Sequence, residues 1–351
     1  MKKCVTVGFK RYYKQYDENI KTLFPRQNMN ILVTGGAGFI GFHVAKALLE
    51  RGDKVTIVDN FNDYYDVKLK EARIKELGKH NNLEIIKADI SDYDAVNNIF
   101  RKHKFNKICH LAAQAGVRYS IEHPLEYEKS NILGTLVMLE MARKHNVKDF
   151  VLASSSSVYG NNKKIPFSED DNVDNPVSLY AATKKSNELL AYTYHHLYKI
   201  NCTGLRFFTV YGPWGRPDMA YFKFTKAILE DKPIDIYNYG KMKRDFTYIS
   251  DIVQAVLAAI DNPFPYEIIN LGNNKPITLS YFIECIEKAL GKKAKKQMMP
   301  MQPGDVFITY ANTRKAEKLL NYKPKIKMEE GIKRFVKWYK EYQIKDSNVE
   351  N

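Results

Sequence analysis

Met29-Asn30-Ile31-Leu32-Val33-Thr34, running directly into Gly35-Gly36-Ala37-Gly38-Phe39-Ile40-Gly41, is the stretch that decides the fold. The first six residues have the length and apolar character of a buried strand. The glycines that follow open a helical pattern in which Ile40, Val44, Ala47 and Leu48 recur on one face until Gly52 stops it. In such a strand–turn–helix the missing side chains let the turn tighten and bring backbone amides at the helix N-terminus close to a pyrophosphate. Gly41 lets helix and strand pack closely. Glycine suits any tight turn, so the context carries the weight. A second strand pattern ends at Asp59, eighteen residues after Gly41, where a carboxylate binds adenosine ribose hydroxyls and repels a 2′-phosphate. The expected cofactor is therefore NAD rather than NADP. Gly35, Gly38, Phe39, Ile40, Gly41, Asp59 and Asn60 are the candidate contacts at this end. Asp89-Ile90 after a third strand and Leu111-Ala112-Ala113-Gln114 after a fourth lie at strand ends, where a cofactor crosses.

Outward from that stretch the strand–helix rhythm is regular. Apolar runs near 30–34, 54–58, 83–88, 107–112, 149–153 and 202–208 read as buried strands with helical patterns between them. Alternation of this kind implies an α/β fold, a doubly wound parallel Rossmann sheet. After about residue 212 the pattern loosens at Pro213, Pro217 and Pro233, and helices are expected near 219–231, 250–261, 279–290 and 329–342. The division that follows is an unassigned N-terminal extension at 1–28, an NAD-binding domain at 29–206 and a smaller, mixed α/β C-terminal substrate region at 207–345. Segments around 246–272 are expected to return to the first domain. Residues 1–28 show no clear periodicity, which makes Met29 a candidate start.

The 351 residues, 44% apolar and 27% charged, suit a soluble globular protein with a full core. No apolar run reaches the roughly 18 residues of a membrane span, and residues 1–28 lack a signal-peptide stretch, so a cytoplasmic protein without membrane attachment is expected. Cys4, Cys109, Cys202 and Cys285 have neither disulfide-framework nor metal-ligand spacing. The net charge of +15 sits at the ends: residues 1–28 hold seven Lys/Arg against two Asp/Glu, and residues 292–345 hold fifteen against five. The body carrying the motifs is nearly neutral, so solvated lysine faces explain the charge better than a nucleic-acid surface.

The chemistry centres on Tyr180 and Lys184. Tyr-x-x-x-Lys begins at Tyr64, Tyr159, Tyr180, Tyr237 and Tyr239 alike. Only at Tyr180 does it follow both the glycine turn and a serine run, Ser154-Ser155-Ser156-Ser157. A phenol with a pKa near ~10 must be partly ionised to accept a proton at neutral pH. Lys184, one helical turn on, supplies positive charge that lowers it, and oxidised nicotinamide supplies more. Ser155, after the fifth strand, is placed to hydrogen-bond the alcohol being oxidised. His110, His195 and His196 have no metal or triad spacing and are expected in core or surface roles; no metal site is expected.

Taken together, Gly35–Gly41, Asp59, Ser154–Gly160, Tyr180 with Lys184, and Arg206–Pro213 resemble the extended short-chain dehydrogenase/reductase family over residues 29–342. Within it the chain is most similar to the UDP-glucuronate 4-epimerases, through Asn62–Asp66, Ala113–Ser120, Gly212–Met219 and Tyr237–Met242. The resemblance implies tightly held NAD, a UDP-sugar substrate, a homodimer, and a cycle in which C4 is oxidised to a ketone and reduced from the other face. It also implies that Asn131 and Phe207 line the boundary between cofactor and substrate. Arg244 then faces the diphosphate, Asp305 the nucleoside, and Tyr237 lies among the substrate contacts. A 4-keto-glucuronate is a β-keto acid prone to lose carbon dioxide. Arg216 offers a donor fork for its carboxylate, with Thr209, Ser156 and Ser157 as further hydroxyl donors.

Related dehydratases carry an acidic pair before Val158-Tyr159-Gly160, and decarboxylating relatives a glutamate; Ser156 and Ser157 stand there instead. Epimerisation is favoured on that ground. A 4-epimerase of a neutral UDP-hexose or UDP-N-acetylhexosamine is the nearest rival, then a UDP-glucuronate decarboxylase. An NAD-sensing binding protein is the non-enzymatic alternative, disfavoured because Tyr180 and Lys184 are both present.

Overall fold

The computed structural model describes residues 28–301 and 306–347. Its centre is a seven-stranded parallel sheet. In chain order it starts with β1 (Asn30–Thr34), α1 (Phe39–Arg51), β2 (Lys54–Asp59), α2 (Val67–Leu77), β3 (Leu83–Lys87), α3 (Tyr93–Lys102) and β4 (Lys107–His110). Then come α4 (Gly134–Lys144), β5 (Asp149–Ser155), α5 (Leu179–Tyr198) and β6 (Asn201–Phe207). All six strands lie where the apolar runs put them.

Side chains alternate across the sheet, and the two faces build separate cores. Ile31, Val33 and Val151 join α1 and the helix Ile249–Asp261 on one face. Leu32, Phe150 and Leu152 join α3, α4 and α5 on the other. Each fully buried Val, Leu, Ile or Phe contributes about 1.5–3 kcal/mol relative to exposure, so a one-residue slip of β1 would undo both cores at once.

A seventh strand, which periodicity did not single out, is Tyr266–Leu271; it pairs in parallel with β6. It starts one residue after Pro265 and its first three residues are only partly buried, so it lacks the continuous apolar character of its neighbours. Proline is tolerated there because the strand lies at the sheet edge. With Tyr266–Leu271 leading, the strand order is β6-β5-β4-β1-β2-β3. Connections therefore run outward in opposite directions from β1 and β4, which leaves a crevice at the carboxyl ends of those two strands.

Beyond β6 the chain forms small sheets of two or three strands, among them Thr209–Tyr211 with Phe246–Tyr248 and Lys243–Arg244 with Ile277–Thr278. The helices Ala220–Leu229, Leu279–Leu290 and Met328–Ser347 pack here. No helix among the described residues is long and apolar enough to cross a membrane.

Candidate active site

The glycine turn shapes one end of the crevice. Gly35 has a φ of 69°, and a Cβ on it would stand 2.7 Å from the backbone nitrogen of Ala112. A Cβ on Gly41 would fall on the carbonyl oxygen of Gly35. The turn closes through Gly38 N–H to Gly35 O at 3.0 Å, and α1 begins immediately, its first amides directed at the opening. Asp59 ends β2 and accepts from the amides of Ala37 (3.1 Å) and Phe61 (2.9 Å), so it braces the turn as well as facing the opening.

A cavity of about 750 Å³ occupies this crevice, within the range of small-molecule and cofactor sites. Gly35, Gly38, Phe39, Ile40, Gly41, Asp59 and Asn60 line it. So do Asp89 and Ile90, the run from Leu111 to Gln114, and Phe207. Burial opposes the charge of Asp89, but bonds from the Ser91 amide and hydroxyl and the nearby Lys129 outweigh it and hold the carboxyl below its usual range.

Asn131 differs from its expected place. It is fully buried and does not line the cavity. It sits in a π-helical segment, Glu128–Leu133, whose wider turn aims its amide at the chain after β4. Its Oδ1 accepts from Gln114 N at 2.7 Å, and its Nδ2 donates to Gln114 O and Thr183 Oγ1, each at 3.0 Å. It shapes the wall through Gln114 rather than forming it.

Ser155 is the last residue of β5, and the Ser178 hydroxyl caps α5 by accepting from Ala181 N. That cap places Tyr180 in the first turn, with its phenol in hydrogen-bonding reach of Ser155. Ser157 donates to the Ser155 hydroxyl from both its amide (3.2 Å) and its hydroxyl (2.9 Å). Burial raises the Tyr180 pKa above 10; Ser155 and the Arg216 charge pull it back, and Asp218 pushes it up.

Lys184 is buried and gives its ammonium to Ala153 O at 2.9 Å; burial lowers its pKa to about 8 against the opposing pull of Glu188. Lys184 was expected to be the charge that acts on the phenol. In this structure Arg216 and Asp218 bear on the phenol, and Lys184 lines the same cavity while its ammonium holds Ala153 O on β5. One turn further along α5, Glu188 forms a buried two-bond pair with Arg206 (2.8 Å each) and accepts from Ser154 Oγ at 2.5 Å. The serine strand end is thus held from below on two sides.

The far half of the cavity is built from the C-terminal region. Ser156, Ser157, Thr209, Arg216 and Arg244 all line it. Arg216 forms a two-bond pair with Asp218, Nε to Oδ1 at 2.9 Å and Nη2 to Oδ2 at 2.5 Å, and Tyr64 donates to the same Oδ2 at 3.2 Å. Tyr237 is not in the cavity wall; it begins a tight 3-10 turn, Tyr237–Gly240, on the flank of the small sheets. Asp305 lies outside the described residues.

Asp218, Tyr64 and Lys70 also line the cavity and were not anticipated individually. Asp218 and Tyr64 fall inside two of the matched motif stretches, but a bond across 154 positions leaves no local signal. Lys70 is buried and donates to Asn62 O (2.8 Å) and Asn62 Oδ1 (2.7 Å), with burial lowering its pKa against the pull of Asp59. His110 is a core residue, between the hydroxyls of Thr34 (2.8 Å) and Thr135 (3.1 Å). Among the described residues no cluster of His, Cys, Asp or Glu is placed to hold a metal.

The arrangement joins a phenol and a hydroxyl able to exchange a proton, a dinucleotide-shaped trough beside them, and an arginine opposite. Comparison with known proteins finds close relatives of the chain and of its fold. The family described as GDP-mannose 4,6-dehydratase matches residues 32–335. A UDP-glucuronate 4-epimerase of Thermodesulfobacterium geofontis is 51% identical over 311 residues, which cover 88% of this chain and 96% of that one. The solved structure of UDP-glucuronic acid 4-epimerase from Bacillus cereus, in complex with UDP-glucuronic acid and NAD, superposes with a TM-score of 0.83 at 36% identity, covering 90% of this chain and all of that one. UDP-glucose 4-epimerase of Thermotoga maritima, solved with UDP-glucose, superposes at 0.82 with 32% identity, covering 90% of this chain and all of its own.

Proposed function

The chain belongs to the GDP-mannose 4,6-dehydratase family, and from that premise we propose that it is an NAD-dependent UDP-glucuronate 4-epimerase. It interconverts UDP-glucuronate and UDP-galacturonate through a 4-keto sugar. The observation that carries this reading is that Arg216 faces the same cavity as Tyr180 and Ser155 and bears electrostatically on the phenol. The similarity to relatives whose names specify UDP-glucuronate supports it further.

The residues fit NAD: without side chains at Gly35 and Gly41 the turn packs tightly on its own backbone, so the start of α1 opens on the cavity as a pyrophosphate requires, and Asp59 lines the same cavity where ribose hydroxyls bind. Held there, NAD would supply the two-electron acceptor and donor for the sugar C4. The chain's own residues manage the proton. Tyr180, once ionised, takes it from the 4-hydroxyl, and Ser155 donates a hydrogen bond to the same oxygen. Tyr180 gives the proton back when the ketone is reduced.

Ser156 and Ser157 favour epimerisation over elimination, because a hydroxyl with no acidic proton near neutral pH cannot protonate a leaving hydroxide. Arg216 with Thr209 holds the substrate carboxylate, so that the C5–C6 bond is kept out of line with the C4 carbonyl π system and carbon dioxide is retained. We assign the diphosphate to Arg244 and the nucleoside side to Asp305. Residues 29–206 then serve the cofactor and 207–345 the UDP-sugar, with 246–272 returning to the first domain. A homodimer goes with this reading. The adjacent helices α4 and α5 leave Leu136 on one and Leu189, Tyr192 and Leu197 on the other exposed, an apolar surface suited to a second copy.

The test is incubation with UDP-glucuronate, resolving sugar nucleotides and measuring carbon dioxide. UDP-galacturonate without added NAD and with little carbon dioxide is the expected result. A UDP-pentose would make the protein a decarboxylase, and turnover of UDP-glucose in preference to UDP-glucuronate would overturn the carboxylate assignment.

A further inference from the structure

The backbone around Arg216 is pinned before its side chain is considered. Arg216 N donates to the Tyr221 hydroxyl at 3.2 Å, and Arg216 O accepts from Met219 N at 3.2 Å. Gly215 has no Cβ because the Tyr221 ring end occupies that space. What is left to set is the direction of a long, flexible side chain about a quarter exposed to the cavity.

A guanidinium has two edges able to take a carboxylate with paired bonds, Nε with Nη2 and Nη1 with Nη2. Asp218 takes the first. The Nη1 end of Arg216 takes no part in that pair, and the Tyr64 hydroxyl also lies against the guanidinium. The Asp218 carboxylate is itself held from the far side by Tyr64, which comes from the cofactor half of the chain. Tyr64 stacks at a tilt on Tyr119, with ring centroids 4.7 Å apart, so it too is fixed.

We propose that Asp218 is a specificity-setting positioning residue: by occupying the Nε–Nη2 edge of Arg216, and braced by Tyr64, it presents the Nη1–Nη2 edge to the sugar carboxylate. The inference rests on the assignment of Arg216 to that carboxylate. Asp218 also neutralises the arginine's charge at short range. Recognition of the carboxylate then depends on matched geometry at the free edge and not on an unbalanced positive charge, which would attract the UDP diphosphate equally well. A loosely held Arg216 would let the carboxylate rotate. In the 4-keto sugar, rotation that aligns the C5–C6 bond with the ketone lets that bond break, its electron pair passing into the C4–C5 enolate while carbon dioxide leaves.

The experiment uses the purified protein with its bound cofactor and three readouts: the KM for UDP-glucuronate, the carbon dioxide released per epimerisation, and the inhibition constant of neutral UDP-glucose. Asp218→Asn removes the charge and one acceptor at nearly constant shape. The expected result is a KM for UDP-glucuronate raised about tenfold, the loss of a well-placed charged hydrogen bond. Carbon dioxide per turnover should rise, with UDP-glucose inhibition unchanged. Tyr64→Phe, which leaves the pair but removes its brace, raises KM and carbon dioxide release by less and leaves UDP-glucose inhibition unchanged. A lowered KM in Asp218→Asn would mean that Asp218 competes with the substrate, and equal weakening towards UDP-glucuronate and UDP-glucose would mean a merely structural role. Either overturns the proposal. Arg216→Ala separates the two levels. If it changes UDP-glucuronate handling while Asp218→Asn does not, only the positioning role fails. If it changes nothing, the carboxylate assignment fails and this inference falls with it.

Discussion

Tyr180 stands half-buried beside Ser155 with a pKa above that of free tyrosine, and the Arg216 charge offsets its desolvation in part. A phenol so placed is a poor base until further positive charge arrives beside it, which couples its ionisation to the oxidised cofactor. Tyr180→Phe is expected to lower kcat by roughly 10²–10⁴-fold, the span of general-base catalysis, while calorimetry finds UDP-sugar affinity nearly unchanged. Lys184 makes a prediction of opposite character. Its folded pKa of about 8 lies below the 10.5 of a free lysine. Between those values the unfolded chain binds a proton that the native one does not, so stability rises with pH through that window. The rise should approach 3 kcal/mol, at ~1.36 kcal/mol per pKa unit, and denaturant melts of Lys184→Met should lack it. The spacing of Tyr180 and Lys184 was legible because a helix puts such residues on one face. The ammonium's turn to Ala153 was not, since it depends on where the end of β5 stands.

At the scale of elements, Asp245 follows the two-residue strand Lys243–Arg244 and is fully buried. It accepts the amides of Asn273 (2.7 Å) and Asn274 (3.2 Å) in one loop and of Ala311 (2.9 Å) in another, tying two separate segments behind Arg244. Asp245→Ala would orphan three buried donors and is expected to cost roughly 3 kcal/mol, read from urea unfolding, with Arg244 loosened and UDP affinity reduced alongside. Nothing local in Lys243-Arg244-Asp245 announces this role, because all three partners are distant in sequence. The strands of the main sheet were legible for the contrary reason. A strand buried on both faces must be apolar throughout, and Ile31–Val33 or Phe150–Leu152 show that without any knowledge of neighbours. Tyr266–Leu271 is half-buried at an edge and shows it poorly. The π-helical turn at Glu128–Leu133 was invisible because one extra residue in a turn leaves the apolar pattern nearly unchanged, and with it went the true place of Asn131.

At the scale of the whole molecule, the site is assembled from both halves of the chain, and the bond from Tyr64 to Asp218 crosses between them. The apolar surface of α4 and α5 lies on the outside of the cofactor half, so pairing of two chains would leave each cavity's mouth free. Leu189→Glu combined with Tyr192→Glu is expected to shift sedimentation from a two-chain to a one-chain species; an unchanged profile would rule this surface out as the contact.

β1 is paired along both edges, with β2 and with β4, and buried on both faces. Amide protons in such a strand exchange with solvent only when the molecule opens globally, so Ile31–Thr34 should be the last to take up deuterium. The glycine turn grows straight out of that strand. The part of the trough beside the glycine turn is therefore fastened to the slowest-breathing segment of the protein, while Arg244 is carried on a two-residue strand. Such a division suits a sugar nucleotide that exchanges past a cofactor held in place.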